Sequence, residues 1–521
     1  MALFIITLIL IFISLLLSIL NLLSQKTAME IVNDMGIGYN LGYSFDSCVK
    51  DEYGSCLDES LVSDEIKNPD DQILLLSNPI PTKKMIKNIK KNGFKTIRFP
   101  VTWMYFMDDF GKINPEWMSR VKEVVSWINE YYMYCILNVY NDGSSSNWLS
   151  NGINSKEKYV YLWKQIAEEF KDYNEYLIFE NMDSVQFFIQ DFFIYTFDYS
   201  TFYNFTQAFI DTVRNSGGNN KERLLIISGP VSDLELTTSQ SFLLPTDPSN
   251  KYAISIHYFI PSSFTTTGFD SLWMVYRDRW GNDTDYSELI TNFEILKNIF
   301  INKNIPIILN EVGVKTEENK KLESIREFLY VVFSMSTEND GFMACLWDSS
   351  NKKYGDMNYY YRETNEWYDE KLKENFLEIS KGKNIKTSDY YIMTTNQTIS
   401  TPDNYGNLNM IFGQKKALTI ILNVKLYGEL FVDLSFYIQC IDINGKWIDI
   451  EYGKKNSKKQ YDGTQIFTID VKDKDCYQTI DISKWDGEEL IIFNNLTVVF
   501  QEKFNSFDCN SYKSVISEKV N

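Results

Sequence analysis

LIFENMDSV, residues 177 to 185, changes character halfway. Leu177, Ile178 and Phe179 are apolar and suit a short buried strand, yet Glu180, Asn181, Asp183 and Ser184 follow at once. A buried run that ends in polar groups is what a parallel α/β protein shows where a strand meets its working loop. Seven other runs share the apolar start: Ile37–Leu41, Thr96–Val101, Cys135–Val139, Leu224–Ile227, Ala253–Ile256, Ile305–Leu309 and Phe342–Trp347. Helical patterns lie between them. TKKMIKNIKKN, residues 82 to 92, starts on a threonine cap and stops at Gly93. Residues 115 to 131 put Trp117, Val121, Val124, Val125 and Ile128 on one face. Segments 157–171, 202–215, 287–302 and 322–335 behave alike. Eight strands alternating with helices predict a (β/α)8 TIM barrel over residues 30–380.

Near KGKNIKT, residues 381 to 387, the helical period ends. With 381–388 as a linker, residues 389–505 hold strand-like runs such as LTIILNVKL and LIIFNNLTVVF, broken by NG and DG turns. They predict a C-terminal all-β sandwich. Residues 506–521 form a tail without pattern. At the other end, LFIITLILIFISLLLSILNLL, residues 3 to 23, is uncharged and long enough to span a bilayer. Two readings of residues 1–24 are open, a cleaved signal peptide or a retained membrane anchor, and both export the rest. The sequons at Asn204, Asn282, Asn396 and Asn495 are compatible with export.

The chain has 521 residues and a net charge of −19, an acidic excess that argues against nucleic acid as a partner. Eleven Trp, 34 Tyr and 35 Phe suit sugar stacking, although most aromatic rings fill cores. The only histidine is His257, which removes most metal sites and any histidine-based triad elsewhere in the chain, so no metal is expected. Neither a phosphate loop nor a dinucleotide fingerprint occurs, so no cofactor is implied. Of seven cysteines, Cys48 and Cys56 share a loop and can bridge; Cys135 and Cys345 fall in apolar strands; one pair is open among Cys440, Cys476 and Cys509.

The strand ends collect a coherent set. IRFPVTW supplies Arg98; YCILNVYND supplies Asn138, Tyr140, Asn141 and Asp142; SIHYF supplies His257 and Tyr258; IPIILNEVG supplies Glu311; CLWDSS supplies Trp347. Carboxylates, an arginine, a histidine and a tryptophan around one mouth suit a polyhydroxylated sugar. Glu180 suits a support inside the barrel top.

Residues 35 to 380 resemble glycoside hydrolase family 5, in particular its secreted endo-β-1,4-glucanases. The matching motifs run in order: MGIGYNLGYSFD, KNGFKTIRFPVTW, LWKQIAEEFKDYNEYLIFE, DTVRNSGGNN, SIHYFIP and IPIILNEVG. The resemblance implies a retaining reaction on a β-linked glucan, with two glutamates about 5–5.5 Å apart. It implies that Glu311 is the nucleophile and that Arg98, Asn138, His257, Tyr258 and Trp347 contact sugar. The acid/base glutamate is expected in a pattern like IFEGMNEP. Here the stretch is IFENMDSV, so Ser184 takes the acid/base position and Asp183 replaces an asparagine. The third strand carries Tyr140 and Asn141 where the family has two histidines, and Phe259 replaces the H-x-Y tyrosine. Three readings follow: a glycan-binding pseudoenzyme, a weak retaining hydrolase that uses Glu311 with Asp183 as substitute, or a barrel that only scaffolds protein contacts. The expected molecule is a monomer that engages polysaccharide. Trp447, Trp485, Tyr437 and Tyr452 are either a binding platform on the second domain or its core.

Overall fold

The computed structural model describes residues 26–47, 66, 68–382 with short internal gaps (76–77, 141, 143–147, 192–193, 268–275, 282, 317–318 and 351–356), and strand segments between 391 and 500. The leader, Cys48, Cys56, Asn141, Asn282, Asn396, Tyr452, Trp485, Cys476, Cys509 and the tail fall outside them. Among the described residues no helix is long and apolar enough to cross a membrane.

Eight parallel strands close a barrel: β1 (Gly38–Asn40), β2 (Thr96–Phe99), β3 (Tyr134–Asn138), β4 (Leu177–Glu180), β5 (Leu225–Ser228), β6 (Tyr252–Tyr258), β7 (Ile307–Val312) and β8 (Phe342–Leu346). Each neighbours the next in sequence, and β8 pairs β1 through Gly38↔Cys345. The eight runs expected from sequence are these strands, shifted by up to three residues at their ends. All but β6 are buried along their whole length, which is why they read as continuous apolar runs. Ile136, Ile178, Ile226, Ile308, Met343 and Cys345 share one cluster with Ile31, Val32 and Met35 of the helix Ala28–Met35. At Gly38 a β-carbon would collide with the Cys345 sulfur, so the β1–β8 contact needs glycine.

Helices Lys83–Lys91, Pro115–Glu130, Lys156–Phe170, Tyr199–Asn215, Asp283–Ile299 and Leu322–Glu338 lie between the strands. Thr82, the predicted cap, accepts from the Met85 amide; Asn114, not foreseen, caps a helix whose first residue is Pro115. The hairpin Phe188–Asp191 / Ile194–Phe197 that interrupts the β4 crossover was not expected. Cys135 and Cys345 are free and buried, as expected.

One irregularity aims the site. Ile256 pairs Leu309 but His257 pairs Glu311, so Asn310 is an extra residue in β7. Such a bulge lets two successive side chains face the same side. Asn310 and Glu311 both turn inward, where alternation alone would send one of them outward. Beyond the barrel, residues 391–500 hold antiparallel pairs, the longest strand being Asn407–Tyr427. Cys440 there is disulfide-bonded.

Candidate active site

Arg98, from β2, is the hub and is wholly buried. Its Nε donates to Glu180 at 2.7 Å. Its Nη1 donates to Asn40 at 3.0 Å and to Glu311 at 2.8 Å. Its Nη2 lies 3.2 Å from Asp183. One guanidinium therefore faces three carboxylates from β4, the loop after β4, and β7.

Glu180 ends β4 and has no exposure. Besides Arg98 it accepts from Asn138 at 3.0 Å, Ser255 at 2.9 Å and Asn310 at 2.8 Å. Four donors satisfy the carboxylate and fix it below the mouth, the supporting role read from sequence. Asn138, expected at the sugar, belongs to this support: its carbonyl accepts from the Val101 amide and it is fully buried.

Asp183 is held from several sides. Oδ1 lies 3.0 Å from His257 Nε2 and accepts from Ser232 at 3.0 Å. Burial pushes its pKa up, but the charges of His257 and Arg98 outweigh that and leave it below the ordinary aspartate range. Glu311 has the opposite balance. Burial and the Asp183 charge raise it to about 7, against the pull of His257 and Arg98. His257 Nε2 sits 3.6 Å from Glu311 Oε1. Burial lowers the imidazole pKa, yet the Glu311 and Asp183 charges win and raise it.

Ser184 follows with φ 47°, a left-handed backbone uncommon outside glycine. Its hydroxyl reaches Asp183 at 3.3 Å and Ser232 at 3.4 Å. Ser232 is held by two successive left-handed residues, Val231 at 52° and Ser232 itself at 54°. A β-branched residue in that region is strained by about 1–3 kcal/mol. Neither Ser232 nor Asn310 was foreseen. Ser232 sits in an unremarkable PVSD loop, whereas Asn40 and Asn310 could have been found as polar residues inside apolar strands.

Trp347 closes β8 at the mouth, with Tyr43 at its edge and Tyr140 stacked at 6.0 Å and 16°. The Tyr140 ring also lies 5.7 Å from the Arg98 guanidinium carbon. Two expected residues do not join. Tyr258 is next to His257 in an alternating strand, so it points outward, packs on Phe293 and accepts from Asn292. Asp142 is buried away from the cluster, accepting from the Trp103 amide and Trp148 Nε1. Phe259 meets the His257 ring edge-on at 5.9 Å and offers no hydroxyl.

Residues 64–353 match the cellulase model of glycosyl hydrolase family 5. The chain belongs to glycosyl hydrolase family 5. Endoglucanase A of Clostridium longisporum is 30% identical over 377 residues, covering 67% of this chain and 65% of that protein. This chain thus spans about two thirds of that relative's length. Endoglucanase A of Ruminococcus albus is 29% identical over 68% of this chain and 93% of its own. Among solved structures, a broad specificity endoglucanase from an uncultured bovine rumen ciliate is 51% identical, with a TM-score of 0.64, covering 69% of this chain and 99% of that one. A family 5 lichenase from Caldicellulosiruptor sp. F32, in complex with cellotetraose, is 26% identical with a TM-score of 0.58. The barrel is therefore that of a cellulase-like member of family 5.

Proposed function

We propose that this protein engages β-1,4-linked glucan or a related polysaccharide in its barrel mouth as a glycan-binding relative of the cellulases, with its own hydrolysis crippled. The observation that carries this is the end of β4. On the resemblance, Ser184 takes the acid/base position, and Asp183 beside it is tied to Arg98 and His257. A serine hydroxyl does not release a proton near neutral pH, and general acid–base help is typically worth about 10²–10⁴ in rate. Arg98, His257, Glu311 and Trp347 favour a sugar ligand over protein scaffolding alone, as does the cellotetraose held by a family relative.

The alternative is a weak retaining endo-β-glucanase, with Glu311 as nucleophile and Asp183 as proton donor. Against it, a donor must hold a proton, and the partners of Asp183 favour its ionised form. Phe259 also leaves the nucleophile without the family's supporting hydroxyl. Around this core reading we place a monomer exported through residues 1–24, by signal peptide or anchor, with 389–505 as a carbohydrate-binding β-sandwich.

Dinitrophenyl β-cellobioside tests the chemistry, since its leaving group departs without a proton. Paired with cellotetraose calorimetry, the reading expects binding of cellotetraose without turnover, and at most a burst of dinitrophenolate that Glu311→Gln abolishes. Sustained cleavage of cellotetraose, lost in Asp183→Asn, would establish the hydrolase instead. Absence of glycan binding would sink both.

A further inference from the structure

The cleft holds more negative than positive charge. Glu180, Asp183 and Glu311 face one guanidinium, and each is nearly or fully buried. Glu180 has four donors, but Asp183 and Glu311 both turn an oxygen toward the same nitrogen, His257 Nε2, at 3.0 and 3.6 Å. All three donor atoms lie within 4.8 Å of one another. We propose that Asp183, His257 and Glu311 form a site for a divalent transition metal, zinc by preference, with a coordination position open to the cleft.

The spacing fits. Ligands about 2.0–2.2 Å from zinc in tetrahedral array lie roughly 3.3–3.6 Å from one another. The two distances to Nε2 bracket that edge. The donor set fits as well. One imidazole nitrogen and two carboxylates are borderline ligands suited to zinc or manganese, whereas calcium and magnesium favour oxygen alone. A single histidine suffices when two carboxylates join it, a combination the histidine count alone did not suggest.

The charge balance admits a cation, although Arg98 Nη1 also donates to the Glu311 oxygen that faces His257. Three carboxylates against one guanidinium leave two negative charges, and a divalent cation with neutral His257 cancels both. Arg98 takes the other oxygen of Asp183, Oδ2, and leaves Oδ1 to His257 and Ser232. The Ser232 hydroxyl is then an orienting partner of a ligand carboxylate. The site arises from the same change that marks the departure from the family pattern, since the family's asparagine at position 183 is a neutral and weak ligand. The His257 side chain is 19% exposed, so the open position faces the mouth. Water or vicinal sugar hydroxyls can occupy it. The metal site stands without the glycan-binding reading; only the sugar in the open position rests on it.

The test uses the full chain without a histidine tag, stripped with chelator and titrated with zinc by calorimetry. We expect one zinc per chain. Asp183→Asn, His257→Gln and Glu311→Gln should each weaken it more than the roughly 10–100-fold typical of losing an outer partner. Asp183→Asn installs the family's own residue, so its fold is the safest of the three, and circular dichroism checks the others. Cobalt substituted for zinc should give a tetrahedral visible spectrum that Asp183→Asn abolishes. Zinc affinity unchanged in all three variants assigns binding to surface carboxylates and overturns the site, as does a wild type that takes up no zinc. Cellotetraose titrations with and without zinc separate the readings. Zinc uptake without glycan binding keeps the metal site and refutes the glycan reading; glycan binding without zinc uptake does the reverse.

Discussion

Restoring the family's proton donor should revive hydrolysis, but only when Asp183 is neutralised as well. Ser184→Glu alone adds a fourth carboxyl to Glu180, Asp183 and Glu311, which already share one arginine. The Asp183 and Glu311 oxygens lie within 4.8 Å, and at an effective dielectric near 20 two unit charges at that range repel by about 3 kcal/mol. That corresponds to about two orders of magnitude in the ionisation of Glu311, whose pKa already stands at about 7. Asp183→Asn removes this repulsion; Ser184→Glu then supplies an acid worth about 10²–10⁴. The left-handed backbone at Ser184 burdens single and double variants alike, so it cancels in the comparison. The double variant should exceed wild type by at least about 100-fold, and Ser184→Glu alone by less than about 10-fold. Phe259 holds the gain toward the lower end. The assay is reducing-sugar release from cellotetraose in chelator, with tryptophan fluorescence to confirm folding and binding. Equal single and double variants would refute the electrostatic reasoning. A double variant no faster than wild type, with binding intact, would refute the assignment of Ser184.

Three further outcomes follow from the same geometry. Arg98→Met strands buried carboxylates and should cost about 3–5 kcal/mol in denaturant unfolding, whatever it does to activity; a loss under about 1 kcal/mol would contradict the hub. Burial raises Asp142 from 3.8 to about 7. A raised folded-state pKa gives stability that is present at acid pH and is lost as pH rises through that value. The wild type should therefore lose roughly 2–3 kcal/mol relative to Asp142→Asn between about pH 5 and pH 8, and a flat difference would contradict the shift. Trp347→Ala should weaken cellotetraose affinity about tenfold by calorimetry, since an aromatic stack is worth about 0.5–1.5 kcal/mol.

The barrel was legible because parallel strands buried on both faces leave unbroken apolar runs, and because a helix cap such as Thr82 is a local signal. The hairpin after β4 was not, since it replaces a loop and leaves no period to count. Residues that meet at the mouth were legible where one strand carries one inward polar group at its end, as with Arg98, His257 and Glu311. Tyr258 was misplaced because adjacency in sequence is opposition in a strand. Asn310 and Glu311 defeat the same rule in the other direction. The bulge that turns both inward is fixed by register between strands, which a single sequence does not display. Ser232 depends on a strained loop and on contacts from a different strand.

The pattern of retention and loss has a physical cause that bears on function. Arg98, Glu180, Asn40, Asn138, Ser255 and Asn310 are bonded to one another below the mouth. Removing any charged member would leave a buried ion uncompensated, at a cost of several kcal/mol. Selection for folding alone would keep them. On the resemblance, Ser184, Tyr140 and Phe259 depart from the family pattern without stranding a buried charge, whereas Asp183 departs by adding one. Their identity is therefore free to follow function. Intact Arg98 and Glu180 say little about catalysis in this chain, and the rim says more. Glu311 lies between the two groups, since it is a partner of Arg98 and, on the resemblance, the nucleophile position. Its presence alone does not decide whether it reacts. The dinitrophenyl glycoside does, because it asks for nucleophilic attack and for nothing that Ser184 has lost.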